Sequence, residues 1–235
     1  MKIITIIPAY NEEKTISSVV KGALTYSNVL VVDDGSIDQT SNLASLSGAD
    51  IIKHSKNRGK GAAIKTGIKK ALNDDYDVMV FIDGDGQHDP DSIPSLAQSI
   101  GRYDFIIGSR FKEDDFRNMP IQRRFSNKLT TKLISYVTGY HITDSQSGFR
   151  AISSNCAEIF LHIKYDDYVY ESEALYQASK NSLLIKEEPI SCNYQDEKSY
   201  IGLMDVLKYL KFIIRLFIRK IKRRFYFEAI LCINC

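Results

Sequence analysis

The first 111 residues alternate short apolar runs, rich in β-branched residues, with stretches whose apolar residues recur at helical spacing. The runs at residues 2–8, 28–36 and 76–83 lack the polar alternation of a half-exposed strand, which indicates strands buried on both faces. Two further strands are expected at 49–55 and 103–111, and helical patterns cover 12–24, 36–48 and 59–72. This alternation predicts an α/β fold with a doubly wound, mostly parallel sheet and helices on both faces.

The second half of the chain is less regular. Residues 112–128 are polar and include the basic pair Arg123 and Arg124, which favours a loop leading into a helix over 128–140. A turn followed by the start of a strand or helix is expected in 143–160, then an amphipathic helix over 168–183 and a short strand in 185–194.

The C-terminal segment differs from the rest of the chain in charge. Between Lys208 and Arg224 there are eight basic residues and no acidic one, although the whole chain has a net charge of only +2. An apolar stripe at helical spacing comprises Leu203, Leu207, Leu210, Ile214, Phe217, Ile221 and Phe225. We therefore expect one domain over residues 1–200 and a basic amphipathic helix in 201–235, either on an anionic membrane surface or packed on its own domain.

The sequence does not indicate a membrane-spanning protein, a secreted protein or a metalloprotein with cysteine ligands. No stretch approaches the ~18 uncharged apolar residues of a transmembrane helix, and the amino terminus lacks the pattern of a signal peptide. Cys232 and Cys235 have no second pair to complete a metal site, so ordinary thiols are expected. These features predict a cytoplasmic protein, and the basic segment predicts a peripheral position on the inner face of the membrane.

Most polar clusters of the first half fall where the predicted strands end, at residues 8–12, 33–36, 57–60, 83–85 and 108–110. The carboxyl ends of parallel strands meet at one edge of a sheet, and ligands bind there. Turn chemistry accounts for Gly35, Gly59 and Asp38, but not for several acidic or basic clusters on one rim. We therefore expect a ligand site at this edge.

The most acidic cluster, FIDGDGQHDP at residues 81–90, directly follows a buried apolar run. Asp83 and Asp85 would repel each other there, and a carboxylate that leaves water needs a partner. Two carboxylates separated by one residue can reach a single hard cation, and Mg²⁺ or Mn²⁺ suits carboxylates combined with substrate phosphates. The cluster therefore predicts a metal–diphosphate site, with Lys60 or an arginine adding positive charge.

Several other sites are excluded by specific features. The segment NRGKGAA lacks the hydroxyl residue that a P-loop has after its lysine, and no G-x-G-x-x-G follows the first strand. There is no G-x-S-x-G nucleophile elbow. The four histidines lack metal-ligand spacing, and His88 is expected either to touch substrate or to be a solvated loop residue. No nucleic-acid partner is expected.

Six ordered motifs resemble those of family 2 glycosyltransferases with the GT-A fold, in particular the polyprenyl-phosphate branch that includes dolichol-phosphate mannose synthases. The motifs are IIPAYNEE, VVDDGSIDQT, NRGKGAAIKTG, FIDGDGQHDP, IIGSRF and DSQSGFRA, and the resemblance covers residues 2–200. It implies a GT-A catalytic domain in 1–200, a nucleotide-sugar donor and a bound Mg²⁺ or Mn²⁺.

The resemblance also implies roles for individual residues. The nucleotide sugar would be held by Pro8, Tyr10, Glu12, Asp34, Lys60 and Asp83. The metal ligands would be Asp83, Asp85 and Gln87. The acceptor phosphate would meet Arg110, Arg123, Arg124 and Lys198. The residues expected to act in catalysis are Asp85, Arg110, Arg124 and Asp144.

Two classes of acceptor fit these residues. A saccharide hydroxyl needs a general base, for which Asp144 is a candidate, although its position favours support of the SQSGFR loop. A polyprenyl phosphate is already anionic at pH 7, because its second pKa is about 6, and it needs arginines instead of a base. The chain lacks the Q-x-x-R-W motif common in hydroxyl-directed members.

We therefore favour inverting transfer of mannose or glucose from a GDP- or UDP-sugar to a polyprenyl phosphate. Transfer to a saccharide hydroxyl, a nucleotidyltransferase and a non-catalytic nucleotide-sugar sensor are the alternative hypotheses. The sequence leaves the oligomeric state and any anchoring subunit open.

Overall fold

The computed structural model describes residues 1–111, 121–193 and 208–220, with residues 121–123 described by their backbone alone. The predicted acceptor residue Lys198, the cysteines Cys232 and Cys235 and the boundary between residues 200 and 201 lie outside the described residues. The division of the chain at that boundary therefore stays a prediction.

Seven strands form a single sheet in the described residues. They are β1 (Ile3–Ala9), β2 (Asn28–Asp33), β3 (Asp50–Lys53), β4 (Val78–Phe81), β5 (Phe105–Ser109), β6 (Arg150–Ser153) and β7 (Ile185–Pro189). Their order is β3-β2-β1-β4-β6-β5-β7, and all neighbours pair in parallel except β6, which is antiparallel to both β4 and β5. The predicted mostly parallel sheet is confirmed.

Helices cover both faces of this sheet. They are α1 (Ile16–Leu24), α2 (Thr40–Leu46), α3 (Lys60–Asn73), α4 (Ile93–Gln98), α5 (Ile121–Thr138), α6 (Ser154–Leu161), α7 (Val169–Lys180) and α8, which spans 208–220. The prediction of a loop over 112–128 is wrong for residues 121–128, because α5 already begins at Ile121, and the first part of the predicted loop lies outside the described residues. Gln and Arg in that stretch are good helix formers, and polarity alone does not separate an exposed helix from a loop.

The core explains the uninterrupted apolar runs. Leu30 and Val32 of β2 point into the core on the α3 side of the sheet, whereas Val29 and Val31 point into the core on the α1 side. Because both faces are buried, nearly all successive residues of a central strand are apolar. The parallel pairing of β1 with β2 and β4, and of β2 with β3, brings the carboxyl ends of these strands to one edge.

Helix α8 packs against its own domain through one apolar face. Phe212, Ile213 and Leu216 are buried in the core on the α3 side, at 1%, 5% and 0% exposure. The Tyr209 and Ser172 hydroxyls lie 3.0 Å apart and link α8 to α7. No helix among the described residues combines the length and apolarity needed to cross a bilayer.

Candidate active site

The carboxyl ends of β1, β2, β4 and β5 lie along the same edge of the sheet. Because β6 runs the opposite way, its first residue, Arg150, also stands at this edge, and the preceding loop over 144–149 comes with it. The edge therefore brings the DSQSGFRA motif against the strand ends that carry the acidic and basic clusters.

The acidic loop after β4 is held in a defined shape. Asp83 and Asp85 are both half-buried, and Asp85 Oδ1 accepts a hydrogen bond of 2.9 Å from the backbone N–H of Gln87. The Thr15 hydroxyl donates to the Gly84 carbonyl at 2.7 Å, which joins the loop to the start of α1. The carbonyl of Gln87 in turn accepts a bond of 2.8 Å from the backbone N–H of Asn193.

Lys60, the first residue of α3, places its ammonium between two acidic side chains. Lys60 Nζ lies 2.6 Å from Asp83 Oδ1 and 2.7 Å from Glu171 Oε1 on α7. Burial alone would lower the pKa of Lys60, but Asp83 and Glu171 outweigh it and raise that pKa above its usual range. Burial would likewise raise the pKa of Asp83, but Lys60 holds it below its usual range. A charged ammonium therefore stands in contact with a charged carboxylate.

Gly148 allows the loop before β6 to approach this pair. A Cβ atom built on Gly148 would lie 2.7 Å from Lys60 Nζ and closer still to Asp83 Oδ2. Any larger residue would displace the Asp83 carboxylate, the Lys60 ammonium or both. The glycine of the motif is therefore part of the cradle around Asp83.

The carboxylates of the acidic loop fit a hard cation that shares its shell with other ligands. Among the described residues, no group of three or more His, Cys, Asp or Glu side chains could hold a metal ion by itself. Mg²⁺ in particular keeps waters and takes one or two carboxylates together with substrate phosphates. Asp83 already draws a cation, the Lys60 ammonium, to contact distance. Asp83 and Asp85 are therefore suited to a metal that binds together with a diphosphate.

Asp34 organises the loop that leads into α3. Its carboxylate accepts hydrogen bonds from the backbone N–H groups of Arg58 and Gly59, at 3.0 and 2.7 Å, and lies 2.6 Å from His54 Nδ1. His54 Nε2 lies 3.0 Å from the Thr66 hydroxyl on α3. This network fixes the first turn of α3 and hence Lys60. The predicted contact between Asp34 and the nucleotide stays a prediction.

The other predicted nucleotide residues follow β1. Pro8 is buried inside the strand, Tyr10 is 44% exposed at its end, and Glu12 is half-buried. Asn11 has a φ of 56° and donates its backbone N–H to the Ser36 hydroxyl at 2.9 Å, which joins the loops after β1 and β2. Tyr10 and Glu12 therefore border the same edge as the acidic loop.

Arg110 and Asp144 form a bidentate pair at the end of β5. Arg110 Nε donates to Asp144 Oδ2 at 2.7 Å, and Nη2 donates to Oδ1 at 2.9 Å. The Asp144 side chain is fully buried; burial would raise its pKa, but Arg110 lowers that pKa below its usual range. A buried carboxylate that is hard to protonate and already binds a guanidinium is a poor general base. Its evident effect is to fix the orientation of Arg110.

His88 lies in the interior, which excludes one of the two environments predicted for it. It is 4% exposed and packs against Phe149 with ring centroids 5.5 Å apart, so the expectation of a solvated loop residue is wrong. Burial lowers the pKa of His88 to about 4, against the opposing charge of Asp83. The ring is therefore neutral at pH 7, and its Nδ1 has no hydrogen-bond partner within the described part of the chain.

Comparison with known proteins identifies the family. The model of the glycosyl transferase family 2 matches residues 4–160, a span that contains Lys60, the acidic loop, Arg110 and Asp144. The chain belongs to glycosyltransferase family 2. The UDP-N-acetylglucosamine–dolichyl-phosphate N-acetylglucosaminyltransferase of Methanococcus voltae is 37% identical over 214 residues, which cover 81% of this chain and 85% of that protein. The undecaprenyl-phosphate mannosyltransferase of Micrococcus luteus is 29% identical over 202 residues, 81% and 83% of the two chains.

A solved structure of the same architecture confirms the predicted fold of this family 2 glycosyltransferase. Glucosyl-3-phosphoglycerate synthase from Mycobacterium tuberculosis, crystallised with Mn²⁺, UDP and phosphoglyceric acid, superposes with a TM-score of 0.69 at 19% identity. The match covers 93% of this chain and 78% of that one. The seven-stranded, mostly parallel sheet is thus the GT-A fold.

Two charged residues that sequence analysis did not single out shape the loop before β6 in this glycosyltransferase. Glu187 of β7 accepts hydrogen bonds from the backbone N–H groups of Thr143 and Asp144, at 2.7 and 3.0 Å. Arg150 is buried and donates to three backbone carbonyls, those of Ser147, Ser145 and Glu171, at 2.7 to 3.0 Å. Arg150 lies in a quoted motif, whereas no sequence pattern pointed to Glu187.

Glu171, which contacts Lys60 directly, is a further site residue that sequence analysis missed. Helix α7 is largely buried and carries two acidic residues, Glu171 and Glu173, the latter only 4% exposed. Carboxylates within a mostly buried helix usually have a specific partner, and that pattern could have drawn attention to them. The partner of Glu171, Lys60, lies far away in sequence and is visible only in the fold.

The remaining predicted acceptor residues are only partly described. Arg124 is half-buried in the first turns of α5. Arg123 belongs to the same helix, but its side chain, like the whole of Lys198, lies outside the described residues. Their contacts with a phosphate stay predictions.

Proposed function

We propose that this family 2 glycosyltransferase is an inverting, divalent-metal-dependent enzyme that transfers a hexose from a nucleoside diphosphate sugar to a polyprenyl phosphate. Mannose or glucose on GDP or UDP is the donor expected from the sequence. N-acetylglucosamine is a further candidate donor sugar, because the Methanococcus voltae relative is named for its transfer. Both relatives compared above are named for a polyprenyl-type phosphate acceptor.

The donor half of the proposal rests on Asp83, Asp85 and Lys60. Departure of a nucleoside diphosphate builds negative charge on its phosphate oxygens, and a bound divalent ion would stabilise that charge as a Lewis acid. Lys60 adds a second positive charge at the same edge of the sheet, where its ammonium contacts Asp83 and Glu171. A positive charge already placed beside the leaving diphosphate would stabilise the negative charge that develops there.

The acceptor half rests on one observation, the bidentate pair of Arg110 and Asp144. Asp144 is the candidate base for a hydroxyl acceptor, but both of its carboxylate oxygens already accept hydrogen bonds from Arg110. A phosphate monoester with a second pKa of about 6 attacks as an anion without losing a proton. It needs a fixed cation instead, and Arg110 is a planar guanidinium held rigid by Asp144.

A membrane surface beside α5 and α8 would supply the lipid acceptor. Leu210, Ile214 and Ile218 form a stripe along α8 that is 54%, 53% and 49% exposed. The two helices are adjacent, since Tyr136 of α5 stacks on Phe217 of α8 with centroids 5.6 Å apart. Exposed apolar residues of α5 and exposed basic residues of both helices complete this surface: Phe125, Leu129, Lys128, Lys132, Lys211 and Arg215. We infer peripheral attachment to an anionic leaflet, on the cytoplasmic face.

Replacing Leu210, Ile214 and Ile218 together by glutamine is expected to reduce binding to anionic vesicles at least about tenfold, because apolar area is lost from the membrane contact. The bound fraction is measured by flotation with vesicles that contain phosphatidylglycerol and with vesicles of pure phosphatidylcholine. Leu46→Gln is the matched control, since Leu46 is 77% exposed on α2. Equal flotation of the wild type and the triple variant would contradict the membrane surface.

Transfer assays test the function itself. Purified protein with Mn²⁺ is incubated with GDP-mannose, UDP-glucose or UDP-N-acetylglucosamine and with either a short polyprenyl phosphate or an oligosaccharide. We expect an acid-labile sugar–phosphate lipid from one donor and no glycosidic product. Transfer of the sugar to the oligosaccharide would show that the acceptor is a hydroxyl group and not a lipid phosphate. The absence of transfer to either acceptor would contradict the proposal.

A further inference from the structure

The partly buried contact between Lys60 and Asp83 conflicts with the metal-binding role proposed for Asp83. Asp83 Oδ1 is 2.6 Å from the Lys60 ammonium, and Oδ2 faces Gly148 at a distance that would not admit even a methyl group. A divalent ion placed on this carboxylate would stand beside the ammonium, and like charges in a partly buried site repel strongly. The ammonium must therefore shift before the ion can bind.

The structure provides a second position for that ammonium. Glu171 Oε1 lies 2.7 Å from Lys60 Nζ, so a shift toward Glu171 would break the contact with Asp83 while keeping the lysine paired. Glu171 is itself fixed, because it lies in the first turn of α7 and its carbonyl accepts a bond of 2.7 Å from Arg150. The Lys60 chain is anchored at the start of α3 by Asp34, which binds the backbone N–H of Gly59.

We propose that Lys60 is the internal counterion that a divalent cation must displace from Asp83, and that Glu171 is the positioning residue that then holds the Lys60 ammonium beside the donor diphosphate. The inference rests on the proposed function. It assigns Lys60 two opposite effects: it weakens binding of the metal alone, and it strengthens binding of the metal with a nucleoside diphosphate. A residue with a merely structural role would not separate these two effects.

Manganese binding by the full-length protein tests this inference without any turnover. The electron paramagnetic resonance signal of free Mn²⁺ gives its dissociation constant, with and without UDP or GDP. Lys60→Met is expected to tighten binding of Mn²⁺ alone on the order of tenfold and to weaken binding of the nucleotide with Mn²⁺ by a similar factor.

Glu171 has its own expected result. Glu171→Gln should weaken binding of Mn²⁺ alone on the order of tenfold, because the ammonium then has no second charged partner and stays on Asp83. In a Lys60→Met background the same substitution should have a clearly smaller effect, since no ammonium remains to be positioned. Lys65→Met is the control: Lys65 lies on α3, forms an ion pair of 2.5 Å with Asp166, and should leave Mn²⁺ binding unchanged.

Thermal unfolding checks that each variant is folded, and Lys60→Gln replaces Lys60→Met if the latter does not fold. Mn²⁺ binding that is no tighter in the folded Lys60 variant than in the wild type overturns the inference. Additive effects of the Lys60 and Glu171 substitutions overturn the role of Glu171. Asp85→Asn separates the two levels of the account: if Mn²⁺ binds the wild type and this variant equally, the proposed metal site itself fails.

Discussion

Asp85→Asn is expected to slow sugar transfer on the order of a hundred- to a thousandfold at saturating donor, with little change in stability. The substitution removes one of the two charges that would bind the divalent ion. It keeps an oxygen that can still accept the bond of 2.9 Å from the Gln87 backbone N–H, so the acidic loop should retain its shape. Steady-state kinetics over a range of Mn²⁺ concentrations and thermal unfolding give the two quantities.

Asp91→Asn is the matched control for this prediction. Asp91 is an exposed carboxylate a few residues further along the same segment, and it accepts a hydrogen bond of 2.8 Å from the Tyr26 hydroxyl. Its replacement should leave the rate and the metal dependence unchanged. Wild-type turnover by Asp85→Asn at every Mn²⁺ concentration would remove the acidic loop from the mechanism.

Asp144→Asn is expected to lower the free energy of unfolding by about 3–5 kcal/mol, because it removes the charged, bidentate partner of the Arg110 guanidinium from the interior. The Asp144 side chain is fully buried and only 11% of the Arg110 side chain is exposed, so solvent screens this pair weakly. Because the folded-state pKa of Asp144 is lowered, the stabilisation is complete above the unfolded pKa of about 3.9 and is lost as the pH falls through the folded value. Urea unfolding at pH 7 and at acidic pH measures this difference.

The double variant Arg110→Met with Asp144→Leu separates stability from function. Replacing both members of a buried ion pair by apolar residues commonly restores stability, so this variant should unfold much closer to the wild type than Asp144→Asn does. It should still be inactive, because the fixed cation for the acceptor phosphate is gone. Unchanged stability of Asp144→Asn would contradict the importance of the pair, and full activity of the double variant would contradict the role of Arg110.

The sequence predicts best the part of the fold in which apolar strands alternate regularly with amphipathic helices. Strands β1, β2, β4 and β5 are buried on both faces, which requires the continuous apolar runs that located them. Strand β3 lies at the edge of the sheet with no fully buried residue, and its shorter run was found from its place between two helical patterns. Helix α4 has only six residues, too few for a helical period to stand out. Strand β6 is four residues long and antiparallel, and its pairing depends on the distant partners β4 and β5.

The residues of the candidate site also fall into two groups, those that a local sequence pattern predicts and those that only the fold reveals. Asp83, Asp85, Lys60 and Arg110 could be found because each follows a strand end or begins the next helix, so local pattern placed it on the rim. Glu171 and Glu187 approach the site from α7 and β7, whose faces toward the rim are fixed only by packing. Sequence also could not show that Asp144 is bound by Arg110, which changes its chemistry from a candidate base to a support.

The central claim is that the Asp83–Asp85 loop binds a divalent ion, which binds the diphosphate of the donor. Crystals grown with Mn²⁺ and the nucleoside diphosphate that supports transfer, measured at the manganese absorption edge, test it directly. We expect an anomalous peak in coordination contact with the Asp85 carboxylate and with both phosphates of the nucleotide. Manganese and diphosphate bound away from both aspartates would contradict it.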